Sequence, residues 1–361
     1  MGGDAAAALV PLHEARSRFQ SLADAGNRSA AGMVSAAITE TGDCLIRLGR
    51  LDNAASAYEE ALERKAKLGD RRSVAVNKGQ LGTVRMLQRR YGEALAAYED
   101  ARQTFEQLGE PRYVAISWHQ IGMVHQDADQ HDQAEKAFQA SLRINVETAD
   151  RPGEAATLNE LGNLYNSMGR LEEAVRFYRQ AATVYGELND PAKEGVTCSN
   201  LAGTLIQLGR PDEARREILR AIECKAPFGH AAQPWMTFTV LADLERAAGN
   251  TAAANAARQR AIDAYLAYRR DGGENLSGGA QIFDLVAQAI AGNQIPAAES
   301  QVAQREARAD LPAYLKALLP KLKAILRGAR DPSLAADPDL DYDDAAELQL
   351  LLEHLARNQE A

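Results

Sequence analysis

The sequence predicts an all-α solenoid closed at its C-terminal end by a helical cap, and three observations predict it. A helical hairpin returns every 40 residues without a slip of register, a small residue recurs at one place in each first helix, and an aromatic recurs at one place in most second helices. Self-similarity of this kind outranks any local propensity.

The clearest unit runs from 154 to 191. Leu158, Leu161, Gly162 and Tyr165 share one face of a first helix, Gly169 breaks it, and Ala174, Tyr178 and Ala181 line one face of a second. In steps of 40, the first-helix leucine position reads Thr41, Leu81, Ile121, Leu161, Leu201 and Leu241. The next residue reads Gly42, Gly82, Gly122, Gly162, Ala202 and Ala242, which suits a place too close for a larger side chain. The second helix repeats Ala54, Ala94, Ala134, Ala174, Ala214 and Ala254, followed by Tyr58, Tyr98, Phe138 and Tyr178. The expected turns inside the hairpins fall at residues 49, 89, 129, 169, 209 and 249.

These columns resemble the tetratricopeptide repeat (TPR): a small residue in helix A, a Gly at the turn, and an Ala-aromatic-Ala face in helix B. Trp118 stands where that family's signature places its tryptophan. The family's usual period is about 34 residues. The longer step here is similar to the repeats of kinesin light chains, of Leu-Gly-Asn-type polarity adaptors, and of sensor arms of bacterial STAND signalling ATPases. The resemblance covers roughly residues 30 to 270 and implies a right-handed superhelix with helix A on its concave side.

Around the array, the expected organisation is an N-terminal capping helix within 1–29, six hairpins over 30–270, a degenerate hairpin plus capping helix over 271–330, and an acidic linker with a last helix over 331–361. Residues 12 to 25 read as a lone helix B with Ala15, Phe19 and Leu22 on one face, so the array opens mid-hairpin and the chain is expected to be part of something longer. In the sixth hairpin Arg258 replaces the helix B aromatic and Glu245 the helix A one, which is expected to weaken its packing or end the regular array. The stretch DGGENLSGG reads as a flexible loop, and DPSLAADPDLDYDD as a solvated linker. Leu348, Leu351, Leu352 and Leu355 give the last helix an apolar face that closes the exposed end of the solenoid.

A net charge of -9 and a pI near 5.3 argue against a general nucleic-acid or anionic-membrane binder, because phosphate neutralisation supplies non-specific affinity. No run reaches membrane-spanning length, and residues 1 to 27, without a charged stretch followed by an apolar core, are not expected to act as a signal peptide. Cys44, Cys198 and Cys224 have no pairing logic, and Cys198 occupies a core column, so a buried thiol in a reducing cytoplasm is expected. The basic residues Lys316, Lys321, Lys323, Arg327 and Arg330 precede an acidic stretch and read as its intramolecular partners or as a solvated face.

Motifs for chemistry are missing: there is no phosphate loop, no GxGxxG after a strand, no HExxH and no CxxC. His119, His125 and His131 are spaced by six, which puts them on different helix faces, so they predict no metal site. Asp337, Asp339, Asp341 and Asp343 alternate as in a calcium loop, yet Tyr342 and Leu348 stand where that loop needs Gly and Glu. No cofactor, no metal and no catalytic residue is expected, and the chain reads as a non-enzyme.

What remains is the exposed side of helix A. One column reads Glu40, Gln80, Gln120, Glu160, Asn200 and Val240, and its neighbour reads Thr39, Gly79, His119, Asn159, Ser199 and Thr239, with Asn163 and Asn166 beside them. Amide side chains carry a donor and an acceptor each and can pair with the backbone of an extended peptide whatever its sequence. The resemblance to kinesin light chains, where Asn at this position grips peptide backbone, implies the same. The candidate groove is therefore Gln80, His119, Gln120, Asn159, Glu160, Asn163, Asn166, Ser199 and Asn200. The basic columns with which chaperone-binding repeats clamp a carboxylate are missing, and Glu40, Asp43, Glu160 and Asp243 favour a ligand with some positive charge. Two functions fit. One is a protein- or peptide-binding adaptor, free or as the recognition arm of a larger bacterial signalling or defence assembly. The other is the regulatory region of an enzyme, a STAND ATPase or a CHAT protease, whose catalytic domain lies elsewhere.

Overall fold

The computed structural model describes residues 2–308 and 310–360, and every regular element among them is helical. Their packing divides the chain into two units, one ending at Asp190 and one beginning at Pro191.

In the first unit α1 (Gly2–Asp24) lies against α2 (Arg28–Arg47). Four hairpins follow: α2 with α3 (Leu51–Leu68), α4 (Arg71–Leu87) with α5 (Tyr91–Leu108), α6 (Pro111–Asp127) with α7 (His131–Glu147), and α8 (Arg151–Ser167) with α9 (Leu171–Glu187). Each packs on the next. Their turns fall where the repeat puts them, on left-handed residues Gly49, Arg89, Asp129 and Gly169, with φ of 69°, 59°, 57° and 72°. Left-handed backbone costs an L side chain about 1–2 kcal/mol. The hairpin packing therefore holds this turn even where Arg89 and Asp129 replace the glycine.

The glycine column has a physical cause, which is a ring. A Cβ on Gly42 would sit 2.8 Å from the Tyr58 ring, on Gly122 2.6 Å from Phe138, and on Gly162 2.5 Å from Tyr178. On Gly82 it would sit 3.1 Å from Tyr98. All four rings are buried. Where alanine takes the column over, at Ala202 and Ala242, the ring position carries Ile218 and Arg258. Small residue and ring change together.

A second pairing follows from the first. The Tyr58 hydroxyl donates to Asp43, Tyr98 shares a 2.8 Å hydrogen bond with Thr83, and Tyr178 donates to Asn163 at 2.7 Å. In the one hairpin with Phe138, which has no hydroxyl, the partner position holds Met123. A buried phenol needs a partner, and each of these three phenols has one at the same position of helix A.

The second unit holds α10 (Pro191–Gln207) with α11 (Pro211–Lys225), then α12 (Pro234–Ala247) with α13 (Thr251–Arg270). Beyond them come α14 (Ala280–Ala291), α15 (Ile295–Glu306), α16 (Ala313–Leu326) and α17 (Tyr342–Glu360). One hydrophobic core joins Tyr265 and Leu266 of α13, Phe283 of α14 and Leu318 of α16 to Leu348, Leu351, Leu352 and Leu355 of α17. The last helix closes the array as its leucine face predicts.

Four segments depart from expectation. The N-terminal helix starts at Gly2 and runs through Pro11; it buries Ala5 and packs Phe19 and Ala23 against Val34 and Ile38 of α2, leaving Leu22 exposed. The stretch 271–279 is packed and not a loose loop: Gly273 lies under the Tyr268 ring, Gly278 beside Tyr314, and Gly279 against Leu318. Backbone amides of Glu274 and Leu276 donate to the Tyr268 and Tyr265 hydroxyls at 3.1 and 2.8 Å. The acidic linker is docked as well. Arg258 donates to the carbonyls of Asp337 and Leu340 at 3.0 and 2.9 Å, Lys321 pairs with Asp337, and Leu340 is buried. Arg258 thus exchanges ring packing for a hold on the C-terminal segment, and Glu245 exchanges it for Arg215 at 2.7 Å and Asn250 at 2.7 Å. Finally, the link between the fifth and sixth hairpins, which the 40-residue step predicts to be as short as 188–190 one repeat earlier, lengthens into a 3-10 turn, Ala226–Ala232, and α12 begins only at Pro234.

Candidate binding surfaces

Each helix A exposes its polar column because the opposite side carries the leucine and glycine positions that face helix B. In the first unit Gln80 of α4 and Gln120 of α6 border one cavity of 180 Å³ with Val76, Thr83, Tyr98 and Ile116. The Tyr98 hydroxyl lies 3.4 Å from Gln120 Oε1, and burial pushes that phenol up to about 12. Ile116 stays exposed beside them. The pair offers two half-buried amides next to an apolar rim, which suits a backbone and a side chain together.

The fourth hairpin is more internally committed. Asn159 donates to Glu160 Oε1 at 3.4 Å, Asn163 donates to Glu160 Oε2 at 2.9 Å, and the carbonyl of Asn163 accepts from Tyr178. Glu160 therefore presents a negative charge braced by two amides, and its field helps burial raise the Tyr178 and Tyr185 phenols. Asn163 holds the Tyr178 ring in place. Asn166 is half-buried one turn further on.

His119 is turned into the packing. Its Nδ1 lies 3.3 Å from the Thr157 hydroxyl, its ring meets Phe138 edge-on at 5.6 Å, and burial lowers its pKa. Thr157 also receives Asn145 at 3.3 Å, within a buried group that includes Ser141. Trp118 lies under the Arg102 guanidinium at 4.7 Å, and His125 reaches Gln130 at 2.7 Å. The three histidines share no ligand set. Among the described residues one trio of carboxylates lies close together, Asp341, Asp343 and Asp344, with oxygens within 4.8 Å of one another.

In the second unit Ser199 and Asn200 of α10 line a cavity of 510 Å³ together with Lys225. The Ser199 hydroxyl donates to the Gly195 carbonyl at 2.8 Å and accepts from Lys225 Nζ at 2.9 Å. Reading the columns alone misses Lys225, since its column also reads Lys65, Phe105, Asn145 and Tyr185 and shows no constant chemistry. The signal that finds it is the shortened helix α11. Cys198 is fully buried, and burial pushes its thiol up to about 12. Cys44, Cys198 and Cys224 are all unbridged. No helix among the described residues is long and apolar enough to cross a membrane.

Residues 34–112 and 113–187 match the model of the tetratricopeptide repeat family. Among solved structures, BtubC (BKLC) from P. vanneervenii is 21% identical, with 62% of this chain and 92% of that one covered at a TM-score of 0.56. A signal transduction ATPase with numerous domains (STAND) that carries a tetratricopeptide repeat sensor, from Pyrococcus horikoshii, is 14% identical. Its match covers 92% of this chain but 43% of that one, at a TM-score of 0.55. Aspartyl phosphate phosphatase F from Bacillus subtilis is 13% identical over 67% of this chain and 73% of that one, at 0.53. These likenesses concern the fold. No curated protein matches the sequence.

Proposed function

We propose, from the premise that this chain is a tetratricopeptide-repeat solenoid, that it is a non-catalytic scaffold which binds an extended peptide or protein segment along its helix A faces. The observation that carries this reading is the pair Gln80 and Gln120, half-buried amides of successive hairpins that border one cavity beside the exposed Ile116. Asn159, Glu160 and Asn166 continue the polar column in the first unit, and Ser199 and Asn200 supply it in the second. His119 and Asn163 act behind the surface, holding Phe138 and Tyr178. Glu160 favours a basic group on the ligand. The unbridged cysteines suit a cytoplasmic setting.

A second reading has an observation of its own. The likeness to the STAND protein extends over nearly the whole of this chain. It supports a chain that serves as the recognition region of a larger signalling or defence ATPase, with binding on the same faces.

The test is selection of peptides from a random library by the purified protein, followed by affinity measurement on the variant Gln80→Ala, Gln120→Ala, Asn159→Ala, Asn200→Ala. Each hydrogen bond contributes about 0.5–1.5 kcal/mol net, so four together are worth about 2–6 kcal/mol. The variant should keep its helical signal and lose more than about tenfold in affinity. Unchanged affinity would move the interface off helix A, and turnover of a nucleotide or peptide by the purified chain would overturn the non-catalytic assignment.

A further inference from the structure

In the second unit the repeat is broken once, at the end of α11, and the break builds a cavity. Helix α9 runs to Glu187, whereas α11 stops at Lys225, two residues short of the equivalent place. The chain then makes a 3-10 turn through Gly229, at φ 52° and ψ −134°, reaches left-handed Gln233, and enters α12 at Pro234. That detour gives α10 and α12 a third wall, and the space between them measures 510 Å³.

The lining is apolar with one charge at its foot. Val196, Phe228 and Met236 face the cavity at 50%, 41% and 52% exposure, large for side chains of this type. Among the described residues of the lining, Lys225 alone is charged. Its ammonium donates to Ser199 Oγ at 2.9 Å and Thr237 Oγ1 at 3.0 Å, which leaves one of its three protons without an acceptor among the described residues. The nearby carboxylate of Glu194 is taken by Arg220 at 2.7 Å. Burial lowers the Lys225 pKa with no carboxylate to offset it, whereas Lys65, at the equivalent place four repeats earlier, has Asp70 and Asp43 acting on it.

We infer that this cavity is a binding site for a small organic carboxylate with an apolar body, such as an aliphatic or aryl-substituted acid. A cavity of this size, mostly apolar with a few placed polar groups, has the proportions of a small-molecule site. A cation meets the ammonium, and a neutral apolar molecule leaves its proton unanswered in a desolvated place. A monoanion answers it once, and the side-chain amide of Gln233 also lines the cavity. The wall from the 3-10 turn occurs in one hairpin only. The site shares Ser199 and Asn200 with the proposed peptide-binding column, but Lys225 lies outside that column, so the charge variants below test the cavity without testing the peptide reading.

Isothermal titration of the full chain with octanoate and with phenylacetate tests this, with octanol and octylamine as the neutral and cationic counterparts. Saturable one-to-one binding of either acid is expected, with no saturable binding of octanol or octylamine. Lys225→Met should weaken it at least about tenfold, as loss of a charge-assisted hydrogen bond does, while Lys65→Met leaves it unchanged. If Lys225→Met lowers the helical signal, Met236→Glu, which puts a carboxylate at the mouth, supplies the same readout. Absence of binding by both acids, equal binding of octanol, or full affinity in the charge variants would overturn the inference. So would binding at Lys225 of an acidic peptide that neither free acid competes with, since that would make the cavity part of the peptide face.

Discussion

Replacing Gly162 with alanine separates two effects that act in opposite directions. Inside a helix the exchange gains about 0.8–1 kcal/mol from propensity. Here the new methyl would meet Tyr178 at 2.5 Å, where ordinary contact begins about 1 Å further out. Tyr178 has little room to yield, being 2% exposed with its hydroxyl on Asn163. Overpacking of a well-packed core costs about 1–3 kcal/mol, so Gly162→Ala should destabilise by up to about 2 kcal/mol net. The same chain carries its own controls. Gly79 and Gly203 have nothing within 4 Å of the added carbon, so their alanine variants should gain the full propensity term. Gly82, at 3.1 Å from Tyr98, should fall between. Urea unfolding followed by far-ultraviolet circular dichroism measures the series. The double variant Gly162→Ala, Tyr178→Ile, which copies the combination at Ala202 and Ile218, should show a coupling of about 1 kcal/mol or more relative to the single changes. If Gly162→Ala stabilises as much as Gly79→Ala, the ring is not what keeps this column small.

Two further outcomes concern the cap. Asp344 is 1% exposed beside Gly279 and Leu318, and burial, helped by the field of Asp343, lifts its carboxyl to about 7 against the weaker opposing pull of Ser277 and the Gly279 amide. A carboxyl raised in the folded state contributes stability below its unfolded pKa of about 4 and loses it as pH rises through about 7. The unfolding midpoint of the wild type should therefore drop between pH 5 and pH 8, and Asp344→Asn should flatten that drop; parallel curves for the two proteins would refute the assignment. Deleting residues 343–361 removes Leu348, Leu351, Leu352 and Leu355 from the core they share with α13, α14 and α16. A lower midpoint and binding of an apolar dye are expected, and an equally stable, monomeric truncation would show that the helix is a free tail.

The array was legible in the sequence because it repeats. Averaging over six hairpins located the turns even where glycine is replaced, at Asp129 and at Arg89, whose residue type argues against left-handed backbone. The segments misread are those that occur once. Arg258 looked like a packing defect because its partners, the carbonyls of Asp337 and Leu340, lie about 80 residues away and belong to no period. The glycines of 271–279 looked like slack because a ring packed on a glycine leaves no local trace. The polar column on helix A was legible as a column, but the division of labour within it was not. Only the structure separates Asn163, whose carbonyl serves Tyr178, from Gln80 and Gln120, which border a cavity. That distinction was within reach, since tyrosine or phenylalanine in helix B goes with a polar or an apolar residue fifteen positions earlier.

The joined choice of glycine, ring and hydroxyl partner bears on how such a chain can change by duplication and exchange. A crossover near residue 109 or 149, between hairpins, moves Gly122, Met123 and Phe138 as one set and delivers a unit that already fits itself. A crossover near 129 or 169, within a hairpin, can unite an alanine with a tyrosine, or a phenol with a methionine, and the product inherits a clash or an unanswered hydroxyl. The heritable module is thus the helix A–helix B pair read from its first residue, although the sequence period alone would allow the cut to fall anywhere.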